Sequence, residues 1–158
     1  MYIMSYSELS KTITRALDKK DKKDNGIYFT SQEIIKKMIK MLGKRRFKRI
    51  LEPCYGSGEF IKELSNKYKK SRIEGIEMNE MMTGLCEKNE DMKGENIELK
   101  RGDYLKTDFE EVYDLIIGNP PFYVMKRGDV EKDYLKYIEG RPNIFVLFIL
   151  KSFSLLKK

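Results

Sequence analysis

The sequence predicts an α/β fold: one domain built on an open, mainly parallel sheet with helices on both faces. Three observations point there. Four short segments, Ile50 to Pro53, Ile73 to Glu77, Ile97 to Arg101 and Leu115 to Gly118, some apolar and some alternating, read as strands of four successive strand–helix units. Such succession gives parallel pairing with right-handed crossovers. The first run leads into a glycine-rich turn, and the fourth stops abruptly at Asn119-Pro120-Pro121, where proline cannot continue a ladder.

A chain of 158 residues with 41% hydrophobic content can bury one core. Its net charge of +7 suits a polyanionic partner such as nucleic acid, or simply a solvated, Lys-rich surface. There is no histidine, which removes Ser-His and Cys-His catalysis and His-based zinc sites. Cys54 and Cys86 form no CxxC pair and indicate a reducing, cytoplasmic setting. Met1-Tyr2-Ile3-Met4-Ser5-Tyr6 has neither a charged n-region nor an apolar h-region, so no signal peptide is read. The apolar run Ile144 to Leu150 is too short for a bilayer, which takes roughly 20 residues, so no membrane is expected.

In chain order, Ser5 to Leu17 carries weak helical periodicity. Asp18 to Asn25 is a charge run read as an exposed, mobile linker. Thr30 and Glu33 stand at capping-box spacing, and Phe29 and Ile34 at staple positions. The helix that follows places Ile34, Ile35, Met38, Ile39, Met41 and Leu42 on one broad face and ends at Gly43. Its N-terminus suits a carboxylate. Glu52-Pro53-Cys54-Tyr55-Gly56-Ser57-Gly58 is a turn whose glycines let the backbone approach a ligand. It matches neither the P-loop nor the dinucleotide fingerprint.

Glu77 falls at the end of the second strand, about 20 residues beyond the glycine turn, where an acid can accept both hydroxyls of a ribose. Met81 to Lys88 reads as a helix and Asp91 to Asn96 as a turn. The third strand ends in Gly102-Asp103, and Asp103 can accept from an amino group or make an Asx turn. Asn119, Pro120, Pro121 and Phe122 place an amide, a backbone carbonyl and an aromatic ring side by side at a strand's carboxyl end. Tyr123 to Arg141 is rich in charge and aromatics without a period, so a mobile loop able to contact a nucleic-acid strand is expected. Ile144 to Leu156 is apolar on nearly every face and reads as a deeply buried helix.

Asn119-Pro120-Pro121-Phe122 after Asp114-Leu115-Ile116-Ile117-Gly118 resembles the catalytic signature of amino-methyltransferases that use S-adenosylmethionine (AdoMet). Thr30, the glycine turn, Glu77, Asp103, the Asn-Pro-Pro-Phe motif and the last helix occur in the order of the N6-adenine DNA methyltransferases whose cofactor loop precedes the catalytic motif. This resemblance implies a Rossmann-like methyltransferase sheet. It implies a cofactor site of Thr30, Glu52, Pro53, Gly56, Gly58, Glu77, Met78, Asp103, Tyr104 and Asn119, with Glu52 toward the ammonium and Met78 toward the adenine edge. Tyr55 departs from the small residue or Cys usual in that loop.

The same resemblance implies catalysis by Asn119, Pro120, Pro121 and Phe122 on an adenine flipped from DNA, with no metal. It places an AdoMet-binding catalytic domain at 26–158, after an N-terminal helix and charged linker at 1–25. The family's sheet carries about three further strands. A fragment or split enzyme that self-associates or takes a second chain at the open edge is therefore expected. RNA or protein-glutamine methylation, a non-catalytic AdoMet- or DNA-binding subunit, and a generic nucleotide-binding domain are the rival readings.

Overall fold

The computed structural model describes residues 5–110 and 112–157. The readings of Met1 to Met4 and of Lys158 lie outside the described residues.

Four parallel strands form the sheet: β1 (Arg49–Glu52), β2 (Arg72–Glu77), β3 (Ile97–Arg101) and β4 (Leu115–Ile116), in the order β3-β2-β1-β4. The chain runs outward from β1 to β3 and then returns to pair β4 on the other side of β1. That reversal opens a crevice at the carboxyl ends of β1 and β4, where open α/β sheets take their ligands. Strand alternation sends Ile50 to one face and Leu51 to the other. Ile50 joins a cluster with Ile35, Ile39, Phe60, Ile61 and Leu64; Leu51 joins one with Ile76, Tyr104, Tyr113, Ile144 and Phe148. Glu74, buried on β2, is held by the Arg49 guanidinium at 2.7 Å and the Tyr113 hydroxyl at 2.9 Å.

Helix α1 (Glu8–Ala16) is capped by Ser7 and buries Ile13 completely. The charge run is not an irregular linker: Lys19–Asp24 forms α2. Lysine is a good helix former. The turn closes at Gly26 (φ +59°), with Ile27 N–H donating to the Lys22 carbonyl at 2.9 Å and Gly26 N–H to Lys23 at 3.3 Å, a Schellman ending.

Helix α3 (Gln32–Met41) starts one residue later than the capping-box reading, with Ser31 at the cap position and no side-chain cap bond. Glu33 does not reach back to Thr30. Its carboxylate takes the Ser5 hydroxyl at 2.6 Å and the Ser5 N–H at 3.1 Å, which holds it at about 2. Only Ile35 and Ile39 of its apolar face are buried; Ile34 and Met41 are exposed.

Helices α4 (Glu59–Lys67) and α5 (Glu80–Glu87) follow β1 and β2 as expected, with a 3-10 turn at Glu90–Met92. The third unit lacks its helix: among the described residues, the chain between β3 and β4 makes turns and one bridge residue, Tyr113. Tyr123 to Arg141 is not periodless throughout. It contains a 3-10 turn (Arg127–Asp129) and α6 (Lys132–Leu135), and it buries Val130 and Ile138 against Leu147.

The last helix, α7 (Ile144–Leu155), is buried at Ile144, Leu147 and Phe148 alone. Phe153 is 71% exposed and Ile149 45%, so the deep burial expected from its composition does not occur within this chain. Leu156 bridges to Tyr113. Beyond that bridge, no strand among the described residues pairs with the outer edge of β4.

Candidate active site

The site begins where β1 ends. Glu52 is 2% exposed, and its Oε2 has no hydrogen-bond partner in the structure. Burial, then the charges of Glu77 and Glu59, push its carboxyl well above the usual range. The turn after it folds back sharply, with Gly58 N–H donating to the Tyr55 carbonyl at 2.7 Å. Gly58 (φ +74°) caps α4, and a Cβ there would stand 2.6 Å from Met92 Sδ. The positive φ favours glycine at this position, while the flexible end of Met92 could give way to a Cβ.

Tyr55 is a core residue. It is 3% exposed, and its ring lies over Gly75 of β2, where a Cβ would come within 2.8 Å. A missing side chain on β2 thus makes room for a large one in the turn. That pairing is across strands and invisible in the local motif.

Glu77 joins the ends of β1 and β2. Its Oε2 accepts from Gly56 N–H at 3.0 Å and its Oε1 from Asn79 N–H at 2.8 Å. Burial raises its carboxyl, and these backbone donors oppose the rise. Thr30, Glu52, Gly56, Glu77 and Asn119 line a narrow cavity of about 80 Å³. Glu77 also lines a larger one of about 550 Å³, together with Pro53, Met78, Asp103, Tyr104 and Pro121.

Asp103 makes the Asx turn, accepting from Leu105 N–H at 3.0 Å, and faces the larger cavity as well. Tyr104 is a wall rather than a free ligand: its ring is buried against Phe148, centroids 4.9 Å apart, and its hydroxyl is 3.0 Å from Ser152 Oγ. Met78 is exposed at the rim.

At the end of β4, the Asn119 side-chain Nδ2 donates to the Tyr28 carbonyl at 2.8 Å. That bond fixes the side chain, and Asn119 lines the narrow cavity with an amide oxygen able to accept. The Asn119 backbone carbonyl accepts from the Cys54 thiol at 3.3 Å, which ties the motif to the glycine turn. Phe122 is 48% exposed, with its ring 5.7 Å from that of Phe145. The fold therefore brings Thr30, Glu52, Glu77 and Asn119 to one cavity, and Asp103 and Pro121 to the adjoining one. Sequence reasoning missed Tyr28, whose contribution is a backbone carbonyl and so carries no side-chain signal. It also missed Ser57, within the turn, and Ser10 and Glu59, which hydrogen-bond beneath it.

A profile of the N-6 DNA Methylase family matches residues 8–154. The chain is 34% identical to the type II methyltransferase M.CvrRI of Paramecium bursaria Chlorella virus XZ-6E, over 78% of this chain and 31% of that protein. It is 29% identical to the modification methylase CviBIII of Paramecium bursaria Chlorella virus NC1A, over 98% and 40% respectively. A class I S-adenosylmethionine-dependent methyltransferase of Listeria monocytogenes superposes with a TM-score of 0.66 at 17% identity, over 94% of this chain and 47% of the other. That match is one of fold. The chain thus spans 31% to 40% of the length of these two curated relatives.

Proposed function

Because the chain belongs to the N-6 DNA methylase family, we propose that it binds AdoMet and methylates the N6 amino group of an adenine flipped out of DNA. The observation that carries this reading is the aim of Asn119. One amide N–H is held by the Tyr28 carbonyl, which fixes the side chain at the carboxyl end of β4 and on the cavity shared with Glu52 and Glu77, and the amide oxygen is its acceptor.

The residues present fit the cofactor. The buried Glu52 oxygen without a partner suits an ammonium group. Glu77 keeps spare lone pairs for two ribose hydroxyls, since each carboxylate oxygen can accept more than one bond. Asp103 would accept from the adenine amino group of AdoMet, with Met78, Tyr104 and Pro53 as apolar walls. Thr30, Gly56 and Gly58 would border the methionine part. Bound AdoMet supplies an electrophilic methyl group. The protein's part is to hold and orient the acceptor nitrogen.

Asn119 Oδ1 and the Pro120 carbonyl would accept the two N6 protons. This draws the nitrogen lone pair out of conjugation with the ring. Pro121 fixes the turn, and the exposed Phe122 ring offers a stacking face for the flipped base. The +7 charge favours a phosphate backbone, and the family match favours DNA over RNA or a glutamine side chain.

The catalytic unit is assigned to 26–158, with α1 docked upon it, in the cytoplasm, where free cysteines stay reduced. The uncovered edge of β4 and the exposed face of α7 are assigned to self-association. Radiolabelled methyl transfer to adenine-containing DNA, RNA and glutamine peptides tests the reading. Transfer to DNA that Asn119→Ala abolishes is the expected result. Calorimetry showing no AdoMet uptake would overturn it.

A further inference from the structure

A buried polar network lies beneath the glycine turn. Glu59, in the first turn of α4, is almost wholly buried. Its Oε1 accepts from Ser7 N–H at 3.1 Å and from the Ser10 hydroxyl at 2.7 Å, and its Oε2 accepts from Gln32 Nε2 at 3.3 Å. Ser10 Oγ is also 2.7 Å from Ser57 Oγ, the side chain between the two positive-φ glycines. Ser10 and Ser57 are both buried, and Ser57 and Glu59 line the narrow cavity. Ser5 adds a second tether, its carbonyl accepting from Gln32 N–H at 3.0 Å.

These bonds converge from α1, α3 and α4 on the turn that holds two positive-φ glycines, Gly56 and Gly58. Helix α1 contributes no residue to either cavity. It reaches the turn from below, through the Ser10 hydroxyl and through its cap residue Ser7. A glycine-rich turn is costly to order, and a buried hydrogen-bonded network is a means of ordering it in advance.

We propose that Ser10 and Glu59 are positioning residues for the cofactor turn, so that docking of α1 and binding of AdoMet strengthen one another. The inference rests on AdoMet binding at this turn, as assigned above. Coupling of this kind is reciprocal: whatever factor α1 docking adds to affinity, bound AdoMet adds to α1 docking.

Two measurements test it, each on the whole chain well below its unfolding temperature. In calorimetric titration with AdoMet, Ser10→Ala and Glu59→Ala should bind about five- to tenfold more weakly, the scale of one or two lost hydrogen bonds. Glu59→Gln, which keeps the Oε1 acceptor, should stay within about threefold of wild type, on the same scale. In amide hydrogen exchange, which needs no variant, AdoMet should slow the amides of α1 in the wild-type chain, and Ser10→Ala should remove that slowing. Wild-type affinity in Ser10→Ala and Glu59→Ala, with Glu77→Ala binding lost, would overturn the coupling and leave the cofactor site standing. So would α1 exchange indifferent to AdoMet. Absence of AdoMet uptake by the wild-type chain would overturn the site and the coupling together.

Discussion

Gly26 and Gly43 form a matched pair for measuring how closely the N-terminal segment presses on the catalytic motif. Both close a helix in the left-handed region, at φ +59° and +64°. A Cβ on Gly43 would meet nothing within 4 Å, whereas one on Gly26 would fall 2.5 Å from Phe122 N and 2.6 Å from Phe122 C and O. Alanine at either position incurs the left-handed penalty of about 1 kcal/mol. Its entropic effect on the unfolded chain is common to both and cancels in the comparison. Only Gly26→Ala adds overpacking, about 1–3 kcal/mol, and the clash is of Cβ on the Phe122 backbone, so no rotamer relieves it.

Gly43→Ala should therefore cost about 1 kcal/mol and Gly26→Ala about 2–4 kcal/mol in total. At this chain length each kcal/mol lowers the melting temperature by about 2–4 °C. Thermal melts of the two variants read the difference directly. Because relief requires Phe122 to move, Gly26→Ala should also slow methyl transfer at saturating AdoMet at least about tenfold, as a misplacement near 1 Å does. Its AdoMet affinity should be unchanged. Equal melting temperatures and equal rates for the two variants would refute the contact and the reasoning from it.

Asn119→Ala should abolish transfer and leave AdoMet titration intact, at a stability cost of about 1 kcal/mol for the lost bond to Tyr28; a chain that fails to fold would show the motif to be only a turn. Glu77→Ala should weaken AdoMet binding more than any other single cofactor-site change, with unchanged affinity as the contrary result. Burial first, then Glu77, raises the Glu52 carboxyl in the free site, so the folded chain holds that proton to higher pH than the unfolded one. Stability should fall as pH rises from the ordinary carboxylate value through the raised one. An ammonium beside Glu52 favours the carboxylate, so AdoMet affinity should rise over that window with proton release. Calorimetry in buffers of different ionisation heat reads it; Glu52→Gln should flatten the profile, and affinity falling with pH would refute it. Phe153→Lys should reduce the mass seen by light scattering without changing the melt, since that ring is largely in solvent; a wild-type chain that is monomeric throughout would count against self-association.

The sheet was legible because its information is local. Ile50 to Glu52 and Ile73 to Glu77 carry paired or alternating isoleucines followed by glycine or helix signals; the fourth strand, read as Leu115 to Gly118, is shorter and ends at Ile116, before the proline pair. Glu52, Glu77, Asp103 and Asn119 could be picked out because each sits at a strand's carboxyl end. What was hidden depends on contacts between distant segments. Glu33 has capping-box spacing, but Ser5 claims its carboxylate. Tyr55 looks anomalous until Gly75 is seen beneath it. Asp18 to Asn25 reads as a solvated run by charge, while Gly26 supplies the ending that lets it close as α2. The composition of α7 signals burial, but only the structure shows which face is covered.

The bond that aims Asn119 joins residues 91 positions apart, Tyr28 near the beginning and Asn119 well into the second half. Contacts of such separation carry the largest loop-closure cost, and they form late when a chain folds. The turn, Glu52 and Glu77 are assembled by β1, β2 and their helices, braced by α1 and α3 through Ser10 and Gln32, all without β4. A refolding chain would then pass through a stage in which the cavity is built but the amide above it is still free to rotate. Recovery of ligand uptake should precede recovery of turnover, and a cut in the peptide chain between α2 and α3 should widen the interval between them.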